Sequence, residues 1–251
     1  MKKIVYTFIA LSVMVACKSN GDEKSKDAAT AEAGQQENKI VDQTQEDDWT
    51  YLFDGTSTDG WRGYNAETLP EGWVIEDGSL KSLGKGGDIG GDIVYGKEEF
   101  GEFELYLEWK IAKGGNSGIF YHVLEGEEFK APYFSAPEYQ VIDQIGFPQK
   151  LELWQSIGAD YGMYNPDFEG AVKNAGEWNT SRIVFTNDKV SYYLNGKKTV
   201  EFVPWSEDWK IRKEKGKWEK FPNYGKAKTG LIGLQDHGSF IWYKNIKIKK
   251  L

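Results

Sequence analysis

A single cysteine, Cys17, in 251 residues leaves no partner for a disulfide and no Cys-rich zinc site. Two histidines, His122 and His237, are too few for a three-histidine metal centre within one chain. Basic charge is in deficit: 31 Lys and Arg stand against 39 Asp and Glu, for a net charge of −8 and a pI of about 5.0. Nucleic acid therefore has no electrostatic footing as a partner. No window of eleven or more residues carries a helical apolar stripe. There is no Gly-x-Ser-x-Gly elbow. The glycine-rich stretch Gly84–Gly91 lacks the Lys-Ser/Thr end and following helix of a phosphate loop. What is plentiful is aromatic mass, with 10 Trp, 14 Tyr and 13 Phe, and glycine, with 29. That is enough to bury a large core threaded by many short strands and turns.

The N-terminus is organised as an address. Met1-Lys2-Lys3 is a positive start, and Ile4–Ala16 is an apolar run broken only by Thr7 and Ser12. It is too short to span a bilayer and the right length for a signal peptide. It ends Met14-Val15-Ala16-Cys17, which looks like a bacterial lipobox, with the Cys17 thiol as the site of lipidation. Residues 1–16 are thus expected to be removed. Residues 17–47, nearly devoid of large apolar side chains, are expected to tether the chain flexibly to a membrane. The acidic pair Asp22-Glu23 resembles a surface-export signal of Bacteroidetes lipoproteins. The reading is a cell-envelope lipoprotein of the outer membrane that meets the membrane through its lipid alone.

Residues 48–251 read as one all-β domain. Phe103, Leu105, Leu107, Trp109 and Ile111 alternate with Glu104, Tyr106, Glu108 and Lys110, a period-two strand with a buried face. Gly114-Gly115-Asn116 signals a turn, and Ile119–Leu124 is expected to return as its hairpin partner. Further strands are expected at Glu138–Ile142, Arg182–Phe185, Val190–Leu194, Thr199–Val203, Gly230–Leu234 and Phe240–Ile248. Asn195-Gly196 suits a type I′ hairpin turn, because both positions tolerate positive φ. Residues 205–224 read as an irregular insertion with room for a short helix. Many strands without helical crossovers mean an antiparallel sandwich or barrel.

A series of short motifs runs through this domain: Leu52-Phe53-Asp54-Gly55, Gly60-Trp61-Arg62, Trp73-Val74-Ile75-Glu76-Asp77-Gly78, Gly115-Asn116-Ser117-Gly118-Ile119, Pro137-Glu138-Tyr139-Gln140-Val141-Ile142-Asp143, Gly158-Ala159-Asp160-Tyr161, Gly176-Glu177-Trp178-Asn179 and Gly230 through Gly238. In this order they resemble the 3-keto-disaccharide hydrolase family over about residues 51–250. The resemblance implies a concanavalin-like jelly-roll β-sandwich of two antiparallel sheets. It also implies action on glycosides oxidised to a ketone at C3, with a divalent metal and cleavage by elimination in some members. One departure is His122, where the family often has Arg.

A 3-keto sugar has an acidic C2 proton. A base removes it, the enolate expels the C1 leaving group, and water adds back. This route needs a base near C2, a group to hold the enolate oxygen and an acid for the leaving oxygen. The candidate catalytic residues are Glu138, His122, His237 and Asp143. Glu138 ranks first, as base or as ligand. His122 and Glu138 are the candidate ligands for one divalent metal ion, with His237 or Asp143 completing the set. His122, Glu138 and Gln140 are expected together on the open face of one sheet. Candidate sugar contacts are Arg62, Asn116, Gln140 and Gln235 by hydrogen bonding and Trp154, Tyr161 and Tyr164 by stacking, with Trp61 also in an exposed turn. Trp109 belongs to the core, and Asp54 and Asp77, each before a glycine, to turns. Two other readings are a glycan-capturing module without catalysis and a conventional retaining glycosidase. The last would need two carboxyls about 5–5.5 Å apart, and the Glu-x-Asp-x-x-Glu run of laminarinase-type enzymes is missing.

Overall fold

The computed structural model describes residues 48–86 and 91–251. The expected signal peptide, Cys17 and the whole tether lie outside the described residues. No helix among those described is long and apolar enough to cross a membrane.

Among the described residues, thirteen strands form two antiparallel sheets. The larger is built from β3 (Trp73–Glu76), β4 (Ser79–Leu83), β6 (Phe103–Ile111), β9 (Asn179–Phe185), β10 (Val190–Leu194), β11 (Lys197–Phe202) and β13 (Phe240–Lys250), in the order β11-β10-β9-β6-β13-β4-β3. The strand β1 (Thr50–Phe53) joins it by pairing with the far end of β13. The smaller sheet holds β2 (Trp61–Gly63), β5 (Ile93–Phe100), β7 (Asn116–Val123), β8 (Glu138–Ile142) and β12 (Gly230–Leu234), in the order β2-β5-β12-β7-β8. This is the jelly-roll sandwich, in which the chain crosses repeatedly between the two sheets.

The period-two pattern of β6 is realised in full, with its five apolar residues buried and its four intervening residues half-exposed. They join Ile119, Tyr121, Tyr139, Val141, Ile232 and Leu234 of the smaller sheet in one apolar cluster. Trp109 is buried there and donates to the Ser181 hydroxyl at 2.8 Å. The type I′ turn at Asn195-Gly196 has φ of 50° and 84°, and Asp77-Gly78 repeats it at 49° and 71°.

The expected hairpin between β6 and β7 does not form. β6 pairs with β9 and β13, whereas β7 pairs with β8 and β12 in the other sheet. Gly114, at φ 69°, and Gly115 hand the chain across instead of folding it back. The reason is burial. β7 is buried along both faces apart from its first residue, so it needs the core on one side and a covered pocket on the other. A two-stranded return onto β6 would leave one of those faces wet.

The insertion at 205–224 contains one helix, α1 (Glu207–Lys215), N-capped by the Ser206 hydroxyl accepting from the Trp209 N–H at 3.2 Å. The segment is anchored by aromatics. Trp205 donates to the Gly225 carbonyl at 2.7 Å, and Trp218 stacks on Tyr224 at 4.2 Å between ring centroids.

Candidate functional site

The face of the smaller sheet turned away from the core carries the polar residues. Tyr139 and Val141 of β8 point into the sandwich, so Glu138 and Gln140 point out. Next to them, β7 presents Asn116 and Gly118, and Gln235 follows β12. These residues floor a pocket of about 390 Å³, with His237 at one side and Tyr133, Tyr161, Lys217, Trp218 and Phe221 as walls. Gln140 donates its amide N–H to Asn116 Oδ1 at 3.0 Å, which ties the two amides into one floor. The Gln235 Oε1 atom is buried without a hydrogen-bond partner among the described residues.

Glu138 is only 4% exposed. Its carboxylate lies over Gly118, where any Cβ would overlap the Glu138 Oε1 atom. Gly118 is therefore the bare floor that lets a carboxylate lie flat at the base of the pocket. The walls are rigid: Trp218 is buried, donates to the Tyr161 carbonyl at 2.9 Å and contacts Tyr133, Phe221 and Tyr224. The Lys217 ammonium sits 4.6 Å from the Tyr161 ring centroid, the one ammonium among the described lining residues.

Five of the expected site residues are thus brought together with Tyr161: Glu138, Gln140, Asn116, Gln235 and His237. The others are placed elsewhere. His122 is a correction. Opposite Leu231 and Gly233 of β12, β7 spends Val123 and Phe120, a β-bulge at which His122 takes φ 55°. The bulge resets the alternation, so Tyr121 and His122 both turn inward while Phe120 and Val123 face out. The His122 ring is 1% exposed, packed against Phe103, Tyr121 and Phe185, with Nε2 2.9 Å from the Gly101 carbonyl. Burial pushes its pKa down, with backbone carbonyls opposing the shift.

Asp143 is likewise structural. It accepts backbone N–H groups from Gly114, Ile145 and Gly146 at 2.8, 3.3 and 2.9 Å, closing the turn after β8. Arg62 forms a two-armed ion pair with Glu125 at 2.6 and 2.5 Å, away from the pocket. Tyr164 stacks on Phe202 and donates to Asp208 at 2.9 Å. Trp61 is buried and donates to the Leu52 carbonyl. Trp154 lies outside the pocket but touches its wall, 5.3 Å from the Tyr161 ring.

The expected metal ligands are consequently separated, since only Glu138 of the pair reaches the pocket. No three His, Cys, Asp or Glu side chains converge among the described residues. Among the described lining residues, one carboxylate and one imidazole fall short of the three protein ligands of a catalytic zinc.

The match to known proteins decides the family. A model of the 3-keto-alpha-glucoside-1,2-lyase-like domain matches residues 48–249. The chain belongs to this family. A Bacteroides thetaiotaomicron relative described as a 3-keto-disaccharide hydrolase is 32% identical, with both chains covered in full. Two crystal structures from Parabacteroides distasonis, assigned as glycosyl hydrolases, share the architecture. One is 39% identical, covers 84% of this chain and 98% of its own, and has a TM-score of 0.77. The other is 28% identical, covers 81% and 99%, and has a TM-score of 0.61.

Within this family member, the sequence reading missed Gly118, Tyr133, Lys217, Trp218 and Phe221. Gly118 was visible only as part of a motif. The other four lie in segments without periodicity, Tyr133 in the short turn Pro132–Phe134 and the rest in the 205–224 insertion. The available signal was compositional: Trp218, Phe221 and Tyr224 crowd a stretch too polar to form a core by itself.

Behind the pocket lies one further ionisable group. Asp160 pairs with Tyr139 by a β-bridge and is 1% exposed, with neither carboxyl oxygen hydrogen-bonded among the described residues. Burial drives its pKa well above the usual carboxylate range. The Tyr224 hydroxyl, facing it outside hydrogen-bonding geometry, offsets little of that.

Proposed function

We propose that the protein cleaves the glycosidic bond of 3-keto-glycosides, including 3-keto-disaccharides, by removing the C2 proton and eliminating the C1 substituent, with hydration to follow. The observation that carries this reading is that, among the described residues, Glu138 is the one carboxylate lining the pocket. A retaining or inverting glycosidase needs two carboxyls flanking the bond. The nearest candidate for a second, Asp236, spends its oxygens on the Gly86 and Gly238 N–H groups at 2.9 and 3.0 Å. A ketone at C3 removes the need, because it acidifies the C2 proton enough for a single base.

In this reading Glu138 takes the C2 proton. The electron pair moves to the C3 oxygen, which the amide N–H groups of the Asn116–Gln140 floor receive by hydrogen bonds. The enolate collapses and expels the C1 oxygen, which His237 protonates. The aromatic walls exclude water from the enolate and stack on the sugar C–H faces. The family match and the Bacteroides relative support the substrate class.

The test is cleavage of a 3-keto-glucoside beside its unoxidised parent, with and without EDTA. Cleavage of the keto sugar alone, undiminished by EDTA, is the expected result. Cleavage of the parent at a comparable rate contradicts the reading. Glycan binding without cleavage of either sugar makes the protein a capture module instead.

A further inference from the structure

A second hollow, of about 500 Å³, shares a wall with the first. It is lined by Trp154, Met163, Ile211, Arg212, Lys215 and Lys217 with neighbouring backbone. The two hollows are continuous in their lining: Lys217 belongs to both, and the Trp154 ring on one side contacts the Tyr161 ring on the other. A sugar ring over Glu138 places its C1 substituent across this rim or out into solvent.

The second hollow has a distinct chemistry. It offers a half-buried indole and the exposed Ile211 side chain as apolar surface. Its ionisable lining residues are three cations, with no carboxylate among them. Arg212 is matched by Asp208 at 2.8 Å. Lys215 in the last turn of α1 partly answers the carbonyl end of the helix. Lys217 lies beyond the helix, its ammonium 5.6 Å from the Trp154 ring centroid and 5.3 Å from that of Trp218. In a chain with a net charge of −8, a carboxylate-free hollow bordered by Lys215 and Lys217 is a local reversal of sign.

We infer that this second hollow seats the leaving group, and that the leaving group it favours has a flat face and carries a negative charge, as a carboxylate or a sulfate. The flat face stacks on Trp154 and the anion meets Lys215 and Lys217. The inference rests on the reading of the first pocket as the sugar site and adds the aglycone class to it. No covalent step is involved.

Binding of free leaving groups tests it without depending on catalysis. Phenol and 4-hydroxybenzoate are titrated into the purified protein at low ionic strength, followed by ligand-observed NMR. The carboxylate is expected to bind about tenfold more tightly, a preference that added salt erodes. It is expected to shrink to within about twofold in Lys215→Gln, and both ligands are expected to weaken in Trp154→Ala. Lys215 is exposed, so its replacement does not endanger the fold. Equal affinities for the two ligands in the unaltered protein overturn the inference, as does a carboxylate preference that survives Lys215→Gln. Failure of the parent reading looks different: the carboxylate preference is present, but no 3-keto-glycoside is cleaved.

Discussion

Glu138→Gln is expected to lower kcat on a 3-keto-glucoside by about 10²–10⁴-fold, the usual worth of a positioned general base, while the protein stays folded. The side chain changes by one atom, and its surroundings favour retention of the fold, since the carboxylate rests on Gly118 rather than inside a close-packed core. Glutamine fills the same space but cannot take a proton from C2. Gly118→Ala is the companion experiment, because it leaves the carboxylate in the chain and moves it. The new Cβ would occupy the position of Oε1, and the far end of a glutamate side chain is what must shift. Strand geometry is retained and the base is misplaced, so activity is expected to fall by about 10²-fold, the scale of a displacement of about 1 Å. Melting temperatures within a few degrees of the unaltered protein and rates reduced in both variants are the expected pattern. Full activity in Glu138→Gln would remove Glu138 as the base.

Asp160→Asn is expected to stabilise the protein, and to do so increasingly as pH rises. In the unfolded chain an aspartate loses its proton near pH 3.9. In the folded protein burial keeps Asp160 protonated well above that. Between those two pKa values the folded state holds a proton the unfolded state has released, so stability falls as pH rises. The slope is about 1.4 kcal/mol per pH unit for one proton. Asparagine is neutral throughout and nearly isosteric, so the penalty disappears with the substitution. Urea unfolding at acid and neutral pH checks this: the two proteins should be similar near pH 4 and diverge as pH rises. Curves that stay parallel across that range would show that Asp160 does not hold a proton in the fold. The retention of a costly buried acid one strand behind Glu138 is a feature that stability does not explain.

Much of this architecture is legible in the sequence because period-two alternation is a local property. Phe103–Ile111, Glu138–Ile142, Val190–Leu194 and Gly230–Leu234 are strands with the boundaries their patterns indicate. The outward aim of Glu138 and Gln140 follows from the same alternation. What alternation cannot supply is its own interruption. The bulge that turns His122 into the core arises from the register of β7 against β12, a long-range pairing in which Tyr121 and His122 together face Ile232. Nothing in Ile119–Leu124 alone marks it. The crossing at Gly114-Gly115 is a similar case, since a glycine turn permits both a return and a crossover, and burial of both β7 faces decides between them. The pocket walls were hidden for a different reason. Lys217, Trp218 and Phe221 come from an insertion whose order depends on tertiary contacts such as the Trp218–Tyr224 stack.

The fate of a deuterium at C2 tests the central claim most directly. A 3-keto-glucoside labelled at C2 is cleaved in ordinary water, and the free 3-keto sugar is examined by mass spectrometry, with unreacted substrate and a Glu138→Gln incubation as references for uncatalysed exchange. Proton abstraction by Glu138, elimination and hydration predict a product in which solvent hydrogen has replaced the label, with slower cleavage of the labelled substrate. A product that keeps its deuterium, formed as fast as from unlabelled substrate, would mean direct hydrolysis at C1 and would contradict the account.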